Sequence, residues 1–128
     1  MQRKIARFTL SLDYRAHVDT TLFKGLGWLS VPDRVTYFKL LHAFRVFSGT
    51  APLYLSENFT RLRDVHGHNT RGSDTDFHVP CIAMTNIVHR SFFYTAIKEW
   101  NALPSYLKLL GNEKKFKMKL RRFLLDRY

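Results

Sequence analysis

The sequence predicts a mostly α domain of five or six short helices, with at most one short strand or hairpin. Three observations carry this. Apolar residues recur at helical spacing in four separate stretches, and helix-start residues stand just ahead of two of them. Only the stretch Phe77 to Ala83 is apolar and β-branched enough for a strand, and Pro80 confines it to an edge or an extended segment. At 128 residues, 45% of them hydrophobic, the chain suits one domain, residues 1–128, with a core that needs no staples.

Gln2 to Leu12 spaces Ile5, Phe8 and Leu12 on one side, with Arg3, Lys4 and Arg7 on others, which predicts a short amphipathic helix with a basic side. Thr20 or Thr21 would cap a second, carrying Leu22, Phe23 and Leu26 and ended by Gly25 or Gly27. The strongest element follows. Ser30 is a good N-cap, Pro32 falls in the first turn, and Asp33 takes the capping-box position. Tyr37, Leu40, Leu41, Phe44 and Phe47 then form one broad stripe, and Gly49 ends it.

Pro52 opens a short piece with Leu53, Tyr54 and Leu55. From residue 60 to residue 76 the chain is polar with few apolar anchors, and a flexible loop is expected there. Ser91 to Trp100 returns to helical spacing, with Phe93, Ala96, Ile97 and Trp100 on one face and Pro104 as the stop. A turn or short helix from Ser105 ends at Gly111. The last helix starts at Asn112 with Glu113 in its first turn, and Phe116, Leu120, Phe123 and Leu124 make its apolar stripe.

Charge narrows the function classes. Twenty-one Lys and Arg against ten Asp and Glu give a formal net charge of +11. Such an excess favours polyanions, nucleic acid first and an anionic membrane surface second. The single cysteine, Cys81, excludes an intramolecular disulfide, and nothing resembles a secretory signal or a transmembrane run. The expected location is intracellular, nucleus or cytoplasm, with no membrane partner.

Catalytic and metal constellations fail one by one. His66-Gly67-His68 with His78 and Cys81 lacks the paired spacing zinc sites use. Cys81 sits in an apolar stretch, where a buried inert thiol is the ordinary outcome. Asp74 and Asp76 fit turn chemistry, Glu99 a solvent-facing or ion-paired helix position. Gly25-Leu26-Gly27 lacks the third glycine and preceding strand of a dinucleotide loop. No catalytic residue, metal or cofactor is therefore assigned. The candidate site is two basic helix faces that would meet phosphates without reading sequence: Arg3, Lys4 and Arg7, and Lys114, Lys115, Lys117, Lys119, Arg121 and Arg122. Either face could instead be a solvated surface. Phe92, Phe93 and Tyr94 could stack on bases, although the spacing of Phe93 and Trp100 favours the core.

Four pieces in order carry a family likeness: Gln2-Arg3-Lys4-Ile5-Ala6-Arg7-Phe8; Leu26-Gly27-Trp28-Leu29-Ser30-Val31 followed by Arg34; Ala51-Pro52-Leu53-Tyr54-Leu55; and Arg90-Ser91-Phe92-Phe93-Tyr94 with Trp100-Asn101-Ala102-Leu103-Pro104 and Phe116-Lys117-Met118-Lys119-Leu120. Over roughly residues 2 to 125 this resembles the region downstream of the polymerase domain in non-LTR (LINE-type) retrotransposon reverse transcriptases of the jockey-like and chicken-repeat-1-like kinds. The chain departs from that pattern at Cys81 and at Val88-His89, where relatives carry basic or Gly-Lys residues. The resemblance implies an RNA-directed DNA polymerase as parent, with metal-holding carboxylates in an upstream domain bearing a Tyr-x-Asp-Asp signature. This sequence has no Asp-Asp pair. What the resemblance leaves to this region is sequence-nonspecific binding of RNA or DNA. Alternatives are docking onto the reverse transcriptase body, a relic with no independent function, or, for Asn112 to Tyr128, a basic amphipathic helix on an anionic membrane.

Overall fold

A computed structural model describes residues 1–65, 74–80 and 91–127. Among them are eight helices: α1 (Gln2–Thr9), α2 (Thr20–Gly25), α3 (Val31–Phe47), α4 (Leu53–Ser56), α5 (Leu62–Val65), α6 (Phe92–Asn101), α7 (Ser105–Lys108) and α8 (Glu113–Leu125). The fold is mostly helical, as the periodicity predicts. Three of the eight (α4, α5 and α7) are single turns, and α3 runs for 17 residues. The only β-pairing among the described residues is an antiparallel bridge between Arg61 and Phe77.

The long α3 is the centre, and α6 and α8 pack against it. Its stripe delivers Leu40, Leu41 and Phe44 to the core. α6 adds Ala96, Ile97 and Trp100, and α8 adds Phe116, Leu120 and Leu124. Phe44 stacks on Phe116 with ring centroids 4.3 Å apart. A smaller cluster of Ala6, Val18 and Phe23, edged by Trp28, joins α1 to α2.

The helix boundaries follow local chemistry. Ser30 accepts from the Asp33 N–H at 3.3 Å and its hydroxyl donates to the Asp33 carboxylate, so the Ser30 cap forms as expected with Asp33 turned back onto it. Ser91 caps α6 in the same way, through the Tyr94 N–H. The cap of α2 is Asp19, which accepts from the Thr20 N–H at 2.6 Å, rather than Thr20 or Thr21. Asp is as good an N-cap as Thr and stands one residue earlier, so the helix begins there.

Three helices end in the same two-bond motif. Gly49 takes φ +71° after α3, with Gly49 N–H on Val46 O and Thr50 N–H on Arg45 O. Gly27 takes φ +64° after α2, with N–H bonds from Gly27 to Lys24 O and from Trp28 to Phe23 O. After α1 the left-handed position falls to Ser11, φ 51°, which ends that helix at Thr9 rather than carrying it to Leu12. A non-glycine residue pays about 1–2 kcal/mol for this conformation, against the roughly 0.5–1 kcal/mol entropic cost of a glycine. Ser11→Gly is therefore expected to stabilise the chain by about 0.5–1 kcal/mol, seen as a higher urea midpoint with unchanged slope. A lower midpoint would contradict this account of the α1 terminus.

The inward face of α1 is not the expected one. Ile5 and Phe8 are 49% and 88% exposed and Leu12 is exposed too, while Ala6 is fully buried. Polar anchoring decides the rotation. The Gln2 side-chain amide donates to Leu29 O at 2.8 Å, and the Arg7 guanidinium donates to Ala16 O at 2.8 Å. These bonds turn the polar side toward the protein, and the small Ala6 lets the helix pack close to Val18 and Phe23.

The segment 60–76 is also more fixed than a flexible polar loop at both of its described ends; residues 66–73 lie outside the described part. Leu62–Val65 is a helical turn, and Arg61 lies over the Phe47 ring at 4.7 Å and donates to Phe47 O at 2.8 Å. The segment Thr75–Phe77 is held by α6 and α7. The Trp100 indole donates to Thr75 O at 2.8 Å. The Asn101 side chain pairs with both backbone groups of Phe77, donating to its O at 2.8 Å and accepting from its N–H at 3.0 Å, as a neighbouring strand would. Lys108, 4% exposed, reaches Asp76 at 2.7 Å and Asn101 O at 2.9 Å. Trp100 and Asn101, which open the Trp-Asn-Ala-Leu-Pro run, thus form a structural lock with Lys108, whose counterion is Asp76. Of the strand expected over Phe77 to Ala83, residues past Pro80 lie outside the described part, as do His66, His68, Cys81 and Arg90.

Candidate nucleic-acid interface

α8 forms because its sequence supplies a cap and little that opposes a helix. Asn112 accepts from the N–H groups of Lys114 at 2.8 Å and Lys115 at 3.4 Å, and Lys, Leu, Arg and Met all favour the helix that follows. Burial of Phe116, Leu120 and Leu124 then fixes which side faces water.

The nine basic residues singled out above divide into two sets. Lys117 pairs with Glu113 at 2.7 Å, one turn away. Arg121 donates to Gly27 O at 2.7 Å, tying α8 to the link between α2 and α3. Arg7 holds Ala16 O, as described. These three serve the fold. Arg3 and Lys4 on α1, and Lys114, Lys115, Lys119 and Arg122 on α8, are exposed and, among the described residues, make no ion pair or side-chain hydrogen bond. Lys115, Lys119 and Arg122 fall at i, i+4 and i+7, a row about 10 Å long at ~1.5 Å rise per residue. In axial projection that matches about three phosphates of one strand at ~3.4 Å each.

The acids near this row have partners of their own, although Asp126 borders the same pocket as Lys119 and Arg122. Glu113 is drawn to Arg45 of α3 at 2.8 Å as well as to Lys117, and Asp126 pairs with Lys24 at 3.3 Å. The hydrogen bond from Arg45, then that from Lys117, hold the Glu113 carboxyl down to about 2 from its ordinary 4.5. The same bond raises the Arg45 guanidinium. Because the folded carboxylate titrates below the unfolded one, its stabilisation is complete above pH 4.5 and is lost as pH falls toward about 2. Glu113→Gln should remove that part of the pH dependence. A plot of urea midpoint against pH is expected to be flatter between 4.5 and 2 for the variant than for the parent, and parallel plots would show the pair to be inert.

The two basic helices border one shared pocket. Gln2 of α1 and Arg121 of α8 line the same pocket of about 400 Å3. Arg34 and Trp28 line it too. The charge pattern of α8 did not single them out, because they come from α3 and from the α2–α3 link and reach α8 only in the fold. Of the aromatics considered for stacking, Phe92 is exposed, Phe93 packs on the core, and Tyr94 is half-buried with the Lys98 ammonium 5.2 Å from its ring centroid; Trp100 is fully buried, as its spacing predicts. Glu99 pairs with Lys39 at 3.0 Å.

No described helix is long and apolar enough to cross a membrane, and among the described residues no group of three His, Cys, Asp or Glu could hold a metal ion. The membrane-surface alternative for the last helix also loses its physical basis. An interfacial helix needs a free apolar face, and Phe116, Leu120 and Leu124 of α8 are each 0% exposed. Comparison with protein-family models, with curated proteins and with solved structures finds no match.

Proposed function

We propose that this chain is a non-catalytic accessory segment of a LINE-type retrotransposon reverse transcriptase, and that it binds RNA or DNA through phosphates without sequence preference. One observation carries the reading. α8 presents Lys114, Lys115, Lys119 and Arg122 exposed and, among the described residues, unpaired, while the acids Glu113 and Asp126 are engaged by Arg45, Lys117 and Lys24. A row of unneutralised cations on a rigid, core-anchored helix suits a polyanion and gives no means of discriminating bases. Arg3 and Lys4 of α1, exposed as well, add two more cations to the surface. In this reading the polymerase carboxylates belong to the parent enzyme, this chain adds grip on template or target, and its place of action is the nucleus or cytoplasm.

The test is fluorescence anisotropy of a labelled structured RNA and a labelled DNA duplex, titrated with the chain at 50 and 200 mM salt. Binding of both, weakening steeply with salt, is the expected result. A folded chain that binds neither at low salt overturns the proposal.

A second reading, docking onto the reverse transcriptase body, has its own support. Val31, Val35, Phe38 and Phe92 are 61%, 50%, 54% and 41% exposed. Val35, Phe38 and Phe92 line an apolar groove of about 360 Å3 with His42, whose buried Nε2 has no hydrogen-bond partner among the described residues. Self-association of the isolated chain that Phe38→Ser and Val35→Ser abolish would favour this reading for that face, and a clean monomer would count against it.

A further inference from the structure

The pocket between α1, the α2–α3 link, α3 and α8 differs in kind from the α8 row. Trp28, Tyr37 and Phe38 line it together with Arg34, Arg121 and Gln2, and no carboxylate does. Its volume, about 400 Å3, suits one small organic group rather than a helix or a strand. Arg121 is positioned by its bond to Gly27 O, which uses one of the five N–H donors of a guanidinium. Arg34 lies with its guanidinium 5.9 Å from the Phe38 ring. Held guanidiniums beside aromatic faces are what a nucleotide needs: a flat π-surface for the base and forked donors for the phosphate.

We propose that this pocket takes one unpaired nucleotide of a single strand, its base against Trp28, Tyr37 or Phe38 and its phosphate on Arg34 and Arg121. The proposal rests on the nucleic-acid reading given above and deepens it. In a duplex each base is stacked between its neighbours and presents no face to a pocket, so only a splayed base can enter. Arg121 stands roughly 100° around α8 from Arg122 of the exposed row, so a strand that tracks the row reaches the pocket by crossing the exposed side of α8. Phosphates along the row would give affinity, and the pocket would give a preference for single strands over duplexes.

The experiment uses the intact chain with ten-nucleotide oligo(U), oligo(dT) and a ten-base-pair duplex, read by anisotropy and by tryptophan emission. The chain has two tryptophans. Trp100 is 0% exposed, so quenching by a bound base reports on Trp28. Both single strands are expected to quench the emission and the duplex to leave it nearly unchanged. Trp28→Leu should weaken single-strand binding roughly 5- to 100-fold, the range for losing one base–aromatic stack. Trp28 also edges the small α1–α2 cluster, so Arg34→Gln on the exposed side of α3 serves as the variant that leaves packing alone. It should weaken single-strand binding about tenfold and leave duplex binding unchanged. Single strands that bind without quenching, and equally well to Arg34→Gln, overturn the pocket and leave the α8 row standing. Binding of neither single strand nor duplex at low salt overturns both.

Discussion

Trp100→Ala is expected to cost about 3–5 kcal/mol, the largest loss of any single truncation in this chain. The indole is fully buried and touches the rings of Phe47, Phe77 and Phe116 at centroid distances of 5.4, 5.8 and 6.1 Å. Its removal opens a cavity where α3, α6 and α8 meet and frees Thr75 O at the same time. Trp100→Phe separates the two effects. It keeps most of the packing and loses the indole donor, so a cost of about 1–2 kcal/mol is expected. Urea unfolding followed by circular dichroism measures both. A Trp100→Ala loss below 1 kcal/mol would mean that the lock on Thr75–Phe77 is not part of the cooperative core. With a typical domain stability of about 5–15 kcal/mol, the full effect would leave a marginal protein.

The second large effect is on binding. Changing Lys114, Lys115, Lys119 and Arg122 to Ala together should lower the slope of log affinity against log salt for duplex DNA by about 3–4, close to one per phosphate contact. Between 50 and 200 mM salt the parent's loss of affinity would shrink by about a hundredfold. Folding should survive, because all four side chains are exposed and alanine is the best helix former. Lys117→Ala and Arg121→Ala form the informative contrast. They remove positive charge of the same sign from the same helix, but their partners are Glu113 and Gly27 O, so they should act more on stability than on the salt slope. If Lys117→Ala changed the slope as much as Lys115→Ala, the division of the row into paired and unpaired cations would be wrong.

The helices most legible in the sequence were those whose local signals agree. α3 and α8 each have a good N-cap, an acid in the first turn and a long apolar stripe, and both lie where the periodicity puts them. α6 is legible from its apolar spacing, and Ser91 caps it without an acid in the first turn. The candidate site was half legible. Composition and helical spacing locate the basic face of α8, but lysines and arginines look alike in a sequence whether they end on a carboxylate, on a carbonyl or in water. Glu113 and Lys117, one turn apart on α8, could be paired from spacing alone, but only the packing of α8 against α3 brings Arg45 to Glu113, and only the approach of the α2–α3 link assigns Arg121 to Gly27.

What the sequence by itself determined is the helical class, the capped starts of the major helices, the burial of Trp100 and the strong positive charge, because each depends on residues within a few positions or on a simple sum. Only the tertiary structure decided the rest. It turned α1 so that Ala6 faces in and Phe8 faces out, because two long-range side-chain bonds outweigh a short apolar stripe. It tied Asp76 to Lys108 and Phe77 to Asn101 across 32 and 24 residues, giving fixed ends to a stretch whose composition suggests a loop. It brought Trp28, Arg34 and Arg121 to one pocket from three separate elements. Contacts between distant residues leave no periodic trace in a single chain, since each partner's identity fits many others equally well until the core has set their distance.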